Sequence, residues 1–389
     1  MFQYKAVIAI SKQINKLINI PFPDVHQGFG AVDSVGQILA KKGMKKPLIV
    51  TDKTLVSLGI ADKVIASLNE SGLECAVFDG VEPDPCVASV EWGFKIYQDN
   101  HCDCIIALGG GSPMDCAKII GAKAVRNIDV RQMAGQLKIR KKLPHLIAIP
   151  TTAGTGSEAT LAAVISDKEN NAKFAVIDPS LVPKDAILDP ALMAALPASI
   201  TAATGMDALT HAIEAYLGGY STTLTDKYAE DAIKSIFKNL PLAYTDGENM
   251  VAREWMAVAS YQAGCSFTRA FVGYVHAIAH QLGALYHVPH GLANAVLLPH
   301  ILRFNLSACE QKFESMAKMV GLNTGLEFIE AVEQMNDTLN IPKTINQLKA
   351  EDFAEISKRA LKEAHGTYPV PRYMTPAQCE NILRKLLPN

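Results

Sequence analysis

The stretch CIIALGGGSP, residues 104–113, decides the fold of the first half of the chain. Its five hydrophobic residues predict a buried strand, and three glycines end that strand. Ser112 is a good helix N-cap and Pro113 suits the first helical position, so a helix is expected to follow directly. Glycines let a backbone approach a pyrophosphate closely, and a helix N-terminus offers free N–H groups to an anion. The stretch predicts either a phosphate-binding turn or an ordinary tight turn.

Strand and helix patterns alternate on both sides of this stretch. Strand-like runs occur at residues 48–51, 74–78, 103–108 and 145–149, separated by helical segments, which predicts right-handed β-α-β units and a parallel sheet. After about Leu196, long stretches rich in Ala, Leu and Met at helical spacing replace the strands. We therefore predict an α/β domain over residues 1–196 and an all-α domain over residues 197–389.

Composition excludes several classes of function. A net charge of −2 over 389 residues gives no electrostatic reason to expect nucleic acid or an anionic membrane surface. The N-terminal segment, with an apolar run of only five residues at 6–10, does not resemble a signal peptide. The eight cysteines form no CxxC pair, which is typical of reduced thiols in a cytosolic protein. We expect a cytoplasmic protein.

Two further stretches supply groups that suit a dinucleotide. Asp52 ends the preceding strand unit, where a carboxylate can accept hydrogen bonds from a ribose diol and repel a 2′-phosphate. The stretch TTAGTGSE, residues 151–158, follows another strand and supplies hydroxyls and flexible backbone. Ligands of open α/β sheets bind outside the carboxyl ends of the strands, where all three elements are expected. The sequence therefore favours NAD over NADP, in a pattern that differs from the usual GxGxxG.

The second half of the chain carries a candidate metal constellation. Asp207 and His211 are four residues apart on a predicted helix, so their side chains share one face. His276, His280, His287 and His290 follow within fifteen residues, out of ten histidines in the chain. A carboxylate with several imidazoles suits a borderline divalent ion such as Fe²⁺, Zn²⁺, Ni²⁺ or Co²⁺. Spacing alone does not choose which three histidines bind.

Four motifs occur in order along the chain: GGGSPMDCAK (109–118), PTTAGTGSEAT (150–160), ATGMDALTHAIEAY (203–216) and HAIAHQLGALYHVPHGLANAVLLPH (276–300). They resemble those of the iron-containing, group III alcohol dehydrogenases, and the similarity spans almost the whole chain. The resemblance implies a small alcohol or diol as substrate, Fe²⁺ with Zn²⁺ as the alternative metal, NAD, and an active site in the cleft between the two domains. We also expect a homodimer or a higher homo-oligomer.

The resemblance also implies roles for individual residues. The metal ligands would be Asp207, His211, His276 and His290, and His280 would be a proton relay beside the nicotinamide. The residues implied at the cofactor are Gly110, Gly111 and Ser112 at the pyrophosphate, Thr151, Thr152, Thr160, Lys173 and Leu192 along the groove, and Asp52 and Asp84 nearer the adenosine and ribose.

The chain departs from the family pattern at two places. It carries an N-terminal extension of roughly ten to fifteen residues, and near the C-terminus it has HGTYP, residues 365–369, where many members carry a Cys and Asn-Pro-Arg. Three alternatives to an iron-dependent dehydrogenase stay open. They are a zinc-dependent polyol dehydrogenase of the glycerol dehydrogenase type, a metal-dependent hydrolase or lyase, and a filament-forming subunit without enzymatic activity.

Overall fold

The computed structural model describes Ile8, Lys12, Gln13, residues 18–170 and residues 172–388. The chain forms two compact units, one of Asn19–Ala195 and the other of Leu196–Asn389 together with the described N-terminal residues. Most of the predicted N-terminal extension lies outside the described residues. Lys12 donates a hydrogen bond to the carbonyl of Gly219 in the second unit.

A parallel sheet is the framework of the first unit. The strands in chain order are β1 (Asp24–Gln27), β2 (Pro47–Val50), β3 (Ala76–Phe78), β4 (Cys104–Gly109), β5 (Gly135–Gln136), β6 (His145–Pro150), β7 (Ala162–Asp167), β8 (Ala172–Ile177) and β9 (Asp185–Leu188). Six of them form one sheet in the order β1-β9-β6-β4-β2-β3, with every pair parallel. The remaining three, in the order β5-β8-β7, form a smaller sheet that the sequence did not predict.

The central strand β4 shows why the sheet is buried on both faces. Ile105 and Ala107 lie in one hydrophobic core, whereas Cys104, Ile106 and Leu108 lie in another. Side chains alternate between the faces of a strand, so an unbroken apolar run needs a covering layer on each side. Helices of this unit supply both layers: α1 (Val35–Lys41), α2 (Lys53–Ser57), α3 (Ile60–Glu70), α4 (Val87–Asp99) and α5 (Gly111–Val125).

Every regular element in the described part of the second unit is a helix. The α-helices are α6 (Ala198–Leu217), α7 (Thr223–Thr245), α8 (Met250–Ala270), α9 (Tyr274–Tyr286), α10 (His290–Asn305), α11 (Glu310–Met319), α12 (Gly325–Thr338), α13 (Phe353–Thr367) and α14 (Pro376–Arg384). Helix α6 is central and packs against α7, α8 and α10. Gly205 allows a close approach of α6 and α7, because a β-carbon there would overlap the side chain of Leu240.

The predicted fold class is confirmed, with an α/β half followed by an all-helical half. The predicted strands agree with β2, β3, β4 and β6 to within two residues at each end. The missed hairpin of β7 and β8 alternates buried and exposed residues weakly, so its periodicity is a poor signal. Among the described helices, none has the length and apolar character that spanning a membrane requires.

Candidate metal centre and cofactor loops

Helix α6 places three acidic or imidazole side chains on one buried face. Asp207, His211 and Glu214 follow one another at spacings of four and three, which brings them to successive turns of the same side. All three are buried, with 3%, 5% and 7% of their surface exposed. Carboxylates such as Asp207 and Glu214 are rarely buried unless they are paired or bind a metal. This helix face therefore needs partners from neighbouring helices.

Helices α9 and α10 supply those partners. His276 lies in the first turn of α9, and His290 is the first residue of α10, directly after Pro289. The start of α10 can approach α6 because residue 291 is glycine. A β-carbon at Gly291 would overlap the backbone carbonyl of Ala203.

One ligand atom from each of Asp207, His211, His276 and His290 lies within 4.8 Å of all the others. The Oδ1 atom of Asp207 is 3.8 Å from Nε2 of His276 and 3.5 Å from Nε2 of His290. Ligands about 2.1 Å from a tetrahedral metal lie about 3.4 Å apart. The separations therefore fit a divalent ion after a small contraction, and the nitrogen-rich donor set suits Fe²⁺ or Zn²⁺.

A buried carboxylate fixes the orientation of His276. Nδ1 of His276 is 2.7 Å from Oε2 of Glu214, and the backbone N–H groups of Gly273 and Val275 donate to the same carboxylate at 2.8 and 2.7 Å. Burial raises the pKa of Glu214 to about 7, against the opposing effect of these donors. Burial, followed by the neighbouring histidines, lowers the pKa of His276 well below its usual value. The neutral imidazole with Nδ1–H directed at Glu214 leaves Nε2 free for a metal.

Two further residues that the sequence analysis missed contact the four candidate ligands. The fully buried Asn294 donates from Nδ2 to Oδ1 of Asp207 at 2.6 Å, and its Nδ2 is 3.2 Å from Nε2 of both His276 and His290. Phe267 stacks on the ring of His211 with centroids 4.1 Å apart. Asn294 is four residues after His290 on one helix, a spacing that could have indicated it. Nothing in the sequence indicated Phe267.

His280 lies beside this group and is not one of its four members. Its ring stacks on that of His290, with centroids 5.4 Å apart and planes 17° apart. Nδ1 of His280 is 2.7 Å from Oε1 of Glu363 on α13. His287 ends α9 in the left-handed conformation, at φ 55°, and is not a member of the group either.

The glycine turn lies at the carboxyl edge of the parallel sheet. Gly109 has φ 147°, which favours glycine, and helix α5 begins at Gly111 with Gly110 as its N-cap. The prediction that Ser112 caps this helix and that Pro113 is its first residue is therefore wrong by two residues. The helix starts at Gly111 without a side-chain cap, because Gly110 at the N-cap position has no side chain that could accept a hydrogen bond.

Residues 151–158, which we call the threonine loop, pack directly against the glycine turn of residues 109–111. The backbone N–H of Thr151 donates to the carbonyl of Gly109 at 3.1 Å. A β-carbon on Gly110 would lie 3.3 Å from Oγ1 of Thr152, and one on Gly111 would lie 3.1 Å from the side chain of Thr155. The register of β4 and β6, which pairs Gly109 with Pro150, brings the two loops together.

Beneath the threonine loop lies Lys118, a fully buried lysine that the sequence analysis did not single out. Its ammonium group donates to Oγ of Ser157, Oγ1 of Thr160 and the carbonyl of Ala162 at 2.9, 2.8 and 2.9 Å. Burial lowers the pKa of Lys118 to about 8, against the opposing charges of Asp115 and Glu158. The hydroxyl of Thr160, implied to line the cofactor groove, is therefore engaged inside the protein.

The other implied cofactor residues differ in their surroundings. Oδ1 of Asp52 accepts a hydrogen bond from the N–H of Leu55 at 3.0 Å and so caps α2. Asp84 forms an ion pair with Lys173 at 2.8 Å, on an exposed surface. Leu192 is 2% exposed and belongs to a hydrophobic core. Asp52 lies two residues after the end of β2, at the same sheet edge as the two loops, because β2, β4 and β6 are parallel and adjacent.

Two protein-family models match the chain, one in each half. The family model "Iron-containing alcohol dehydrogenase" matches residues 23–190, and "Fe-containing alcohol dehydrogenase family, C-terminal" matches residues 201–387. The chain belongs to the iron-containing alcohol dehydrogenase family. This membership confirms the prediction of an oxidoreductase that acts on alcohols.

Similar proteins are known at the level of both sequence and structure. The chain is 44% identical to 1,3-propanediol dehydrogenase of Klebsiella pneumoniae over 87% of this chain and 90% of that one. It is 40% identical to NAD-dependent methanol dehydrogenase of Bacillus methanolicus over 92% and 95% of the two chains. A crystal structure of 1,3-propanediol oxidoreductase superposes with a TM-score of 0.91 at 40% identity, covering 95% of this chain and all of the other.

Proposed function

We propose that this protein is an iron-dependent alcohol dehydrogenase that transfers hydride between a small primary alcohol or diol and NAD, and reduces the aldehyde in reverse. The observation that carries the proposal is the group of Asp207, His211, His276 and His290, whose donor atoms lie within 4.8 Å of one another. The names of the relatives, a propanediol dehydrogenase and an NAD-dependent methanol dehydrogenase, support the substrate class and the cofactor.

We assign the metal to those four side chains. Bound Fe²⁺ would supply Lewis-acid polarisation of the alcohol or carbonyl oxygen, and NAD would supply the hydride acceptor. The contribution of the chain is to hold the donors in place before the metal arrives. Glu214 keeps His276 in the binding tautomer, and Phe267 supports the ring of His211. The burial of Asp207, His211 and His276 limits the water around the site.

We assign the dinucleotide to the carboxyl edge of the sheet. Gly110, Gly111 and Ser112 offer backbone N–H groups at the start of α5 for the pyrophosphate. Thr151 and Thr152 adjoin this turn. Asp52 would accept from the ribose. The exposed pair of Asp84 and Lys173 would lie at the margin of the groove. The buried Thr160 and Leu192 would support the groove from beneath.

We further propose that His280 relays the proton between the alcohol and solvent. Its side chain is 41% exposed, in contrast to the buried His276, and its ring lies against that of His290. A general acid or base has to exchange its proton with water, and a partly exposed imidazole can do so. Cytoplasmic location and a homodimer or higher homo-oligomer remain predictions from the sequence.

A substrate and metal screen tests the proposal. Protein purified without oxygen is stripped of metal, reloaded with Fe²⁺ or Zn²⁺, and assayed for NADH oxidation with formaldehyde, propanal, 3-hydroxypropanal and lactaldehyde, and for NAD reduction with glycerol. We expect aldehyde reduction with Fe²⁺ and the highest kcat/KM among the three-carbon aldehydes. Glycerol oxidation with Zn²⁺ as the main activity would instead support the polyol dehydrogenase alternative, which the match to iron-containing family models does not favour.

A further inference from the structure

A carboxylate on a separate helix forms a hydrogen bond with the ring of His280. Oε1 of Glu363, on α13, is 2.7 Å from Nδ1 of His280 on α9. The second carboxylate oxygen accepts a hydrogen bond from Nε2 of Gln281 at 3.1 Å. Neighbouring residues on α9 thus bind both oxygens of one carboxylate, and this two-point contact fixes its plane.

The hydroxyl of Tyr368 fixes the same carboxylate from a third direction. It donates to Oε1 of Glu363 at 2.6 Å, so this oxygen accepts from both Tyr368 and His280. Burial, followed by the charge of Glu363, raises the pKa of Tyr368 well above its usual value, so the hydroxyl keeps its proton and acts as a donor. Three donors, from Gln281, His280 and Tyr368, therefore converge on Glu363, which suits an ionised carboxylate that only accepts.

The consequence falls on the imidazole of His280. With Nδ1–H directed at Glu363, the neutral ring carries its lone pair on Nε2. The ring plane is also restrained by stacking against His290, at a centroid distance of 5.4 Å. Both the tautomer and the orientation of His280 are thus set by contacts outside the group of four candidate metal ligands.

We infer that Glu363 is the positioning residue of His280, holding its Nδ1–H so that Nε2 is the atom that exchanges the proton with the substrate. This inference rests on the proposed role of His280 as a proton relay. It assigns Glu363 no contact with substrate, metal or cofactor. Tyr368 and Gln281 act one step further away, by keeping the carboxylate in place.

Two substitutions of Glu363 distinguish its hydrogen bond to His280 from its negative charge. Glu363→Ala removes the acceptor altogether, whereas Glu363→Gln keeps an oxygen that can accept from Nδ1. We expect kcat to fall about 10- to 100-fold in Glu363→Ala and less in Glu363→Gln, with KM changed less than threefold and bound iron unchanged. Glu355→Ala is the matched control, since Glu355 lies on the same helix and pairs at the surface with Arg359 and Lys358. It should leave kcat unchanged.

A double-substitution cycle distinguishes positioning from a general structural role. If Glu363 acts through His280, then Glu363→Ala should cost little further kcat in a His280→Ala background. The inference is overturned if Glu363→Ala lowers only the melting temperature, if it releases the iron, or if its cost in kcat is the same in both backgrounds.

A spectroscopic readout keeps the inference testable without catalysis. In metal-free protein labelled with ¹⁵N-histidine, His280 should show a protonated Nδ1 and an unprotonated Nε2 when neutral, and Glu363→Ala should convert it to a tautomer mixture. A mixture already present in the wild type would overturn the inference. If the tautomer is as expected but no aldehyde is reduced with NADH, the proposed function fails while the positioning role stands.

Discussion

The metal group and the cofactor loops are built by different means, although both depend on buried polar groups. The candidate metal group consists of specific side chains on helices, where the carboxylate of Glu214 orients His276 and the amide of Asn294 donates to Asp207. The cofactor loops consist of backbone and small side chains, which Lys118 supports from beneath. Loss of one side chain should therefore remove the metal outright. Substitutions in or beneath the cofactor loops should instead weaken NAD binding by degrees.

The largest effect should come from removing one donor of the metal group. In His211→Ala, three donors remain and the apolar surroundings of α6 cannot replace the fourth. We expect loss of bound iron, measured by elemental analysis after anaerobic reconstitution, and a fall in kcat/KM of about 10³-fold or more. His287→Asn is the control, because His287 is outside the group and asparagine tolerates its left-handed backbone. Iron retained in His211→Ala would remove His211 from the site.

Gly291→Ala tests whether helix packing, rather than donor identity alone, sets the site. The added methyl group would overlap the carbonyl of Ala203, so α10 has to move away from α6 and carry His290 with it. We expect iron affinity to fall by about 10- to 100-fold, as when an outer partner of a metal ligand is lost. Titration of metal-free protein with Fe²⁺ or Zn²⁺ measures this.

Gly283→Ala is the matched control for that helix movement. A β-carbon at Gly283 would make only an ordinary contact, 3.6 Å from the carbonyl of Val288. It should leave metal affinity unchanged and, as an alanine in a helix, should not destabilise the protein. Equal metal affinity in the two variants would contradict the packing argument.

These two regions also differ in how far the sequence could predict them. The sequence pattern indicates a pool of candidate ligands, because a carboxylate and several imidazoles at helical spacings in an apolar stretch favour a metal site. The choice of Asp207, His211, His276 and His290 from that pool came from the resemblance to the family and not from spacing. The outer residues Glu214 and Asn294 were missed, since their role depends on which helices pack together.

The cofactor loops were harder to predict because backbone conformation carries their geometry. Ser112 has the chemistry of an N-cap, yet the helix begins at Gly111. Lys118 has the pattern of a surface lysine, since nothing local reveals that α5 buries it under residues 157–162. The parallel strands were found readily because a doubly covered sheet needs unbroken apolar runs.

Lys118→Met tests the support beneath the loops. It removes three hydrogen bonds, to Ser157, Thr160 and Ala162, and leaves buried hydroxyls and the nearby Asp115 without their cation. We expect about 3 kcal/mol of lost stability and roughly a tenfold higher Kd for NAD, with bound iron unchanged.

Lys123→Met provides the comparison for Lys118→Met. Lys123 lies on the same helix and is also buried, but it contacts Glu91 and the carbonyl of Ile128 rather than the threonine loop. The Lys123→Met substitution should lower the stability of the protein without changing its affinity for NAD. Calorimetry measures both the unfolding transition and the Kd for NAD. If both variants bind NAD equally well, Lys118 does not act on the loops.

The smallest effect should come from Asp52, and serine is the informative replacement. Oδ1 of Asp52 caps α2 through the N–H of Leu55, and serine can make the same cap while removing the charge. The melting temperature of Asp52→Ser should therefore stay unchanged, as in a control Asp62→Ser on the exposed side of α3. The kcat/KM ratio of NAD to NADP should fall roughly tenfold, because a carboxylate no longer repels the 2′-phosphate. An unchanged ratio with an unchanged melting temperature would mean that Asp52 only caps the helix, and the preference for NAD would then have to come from elsewhere on the sheet edge.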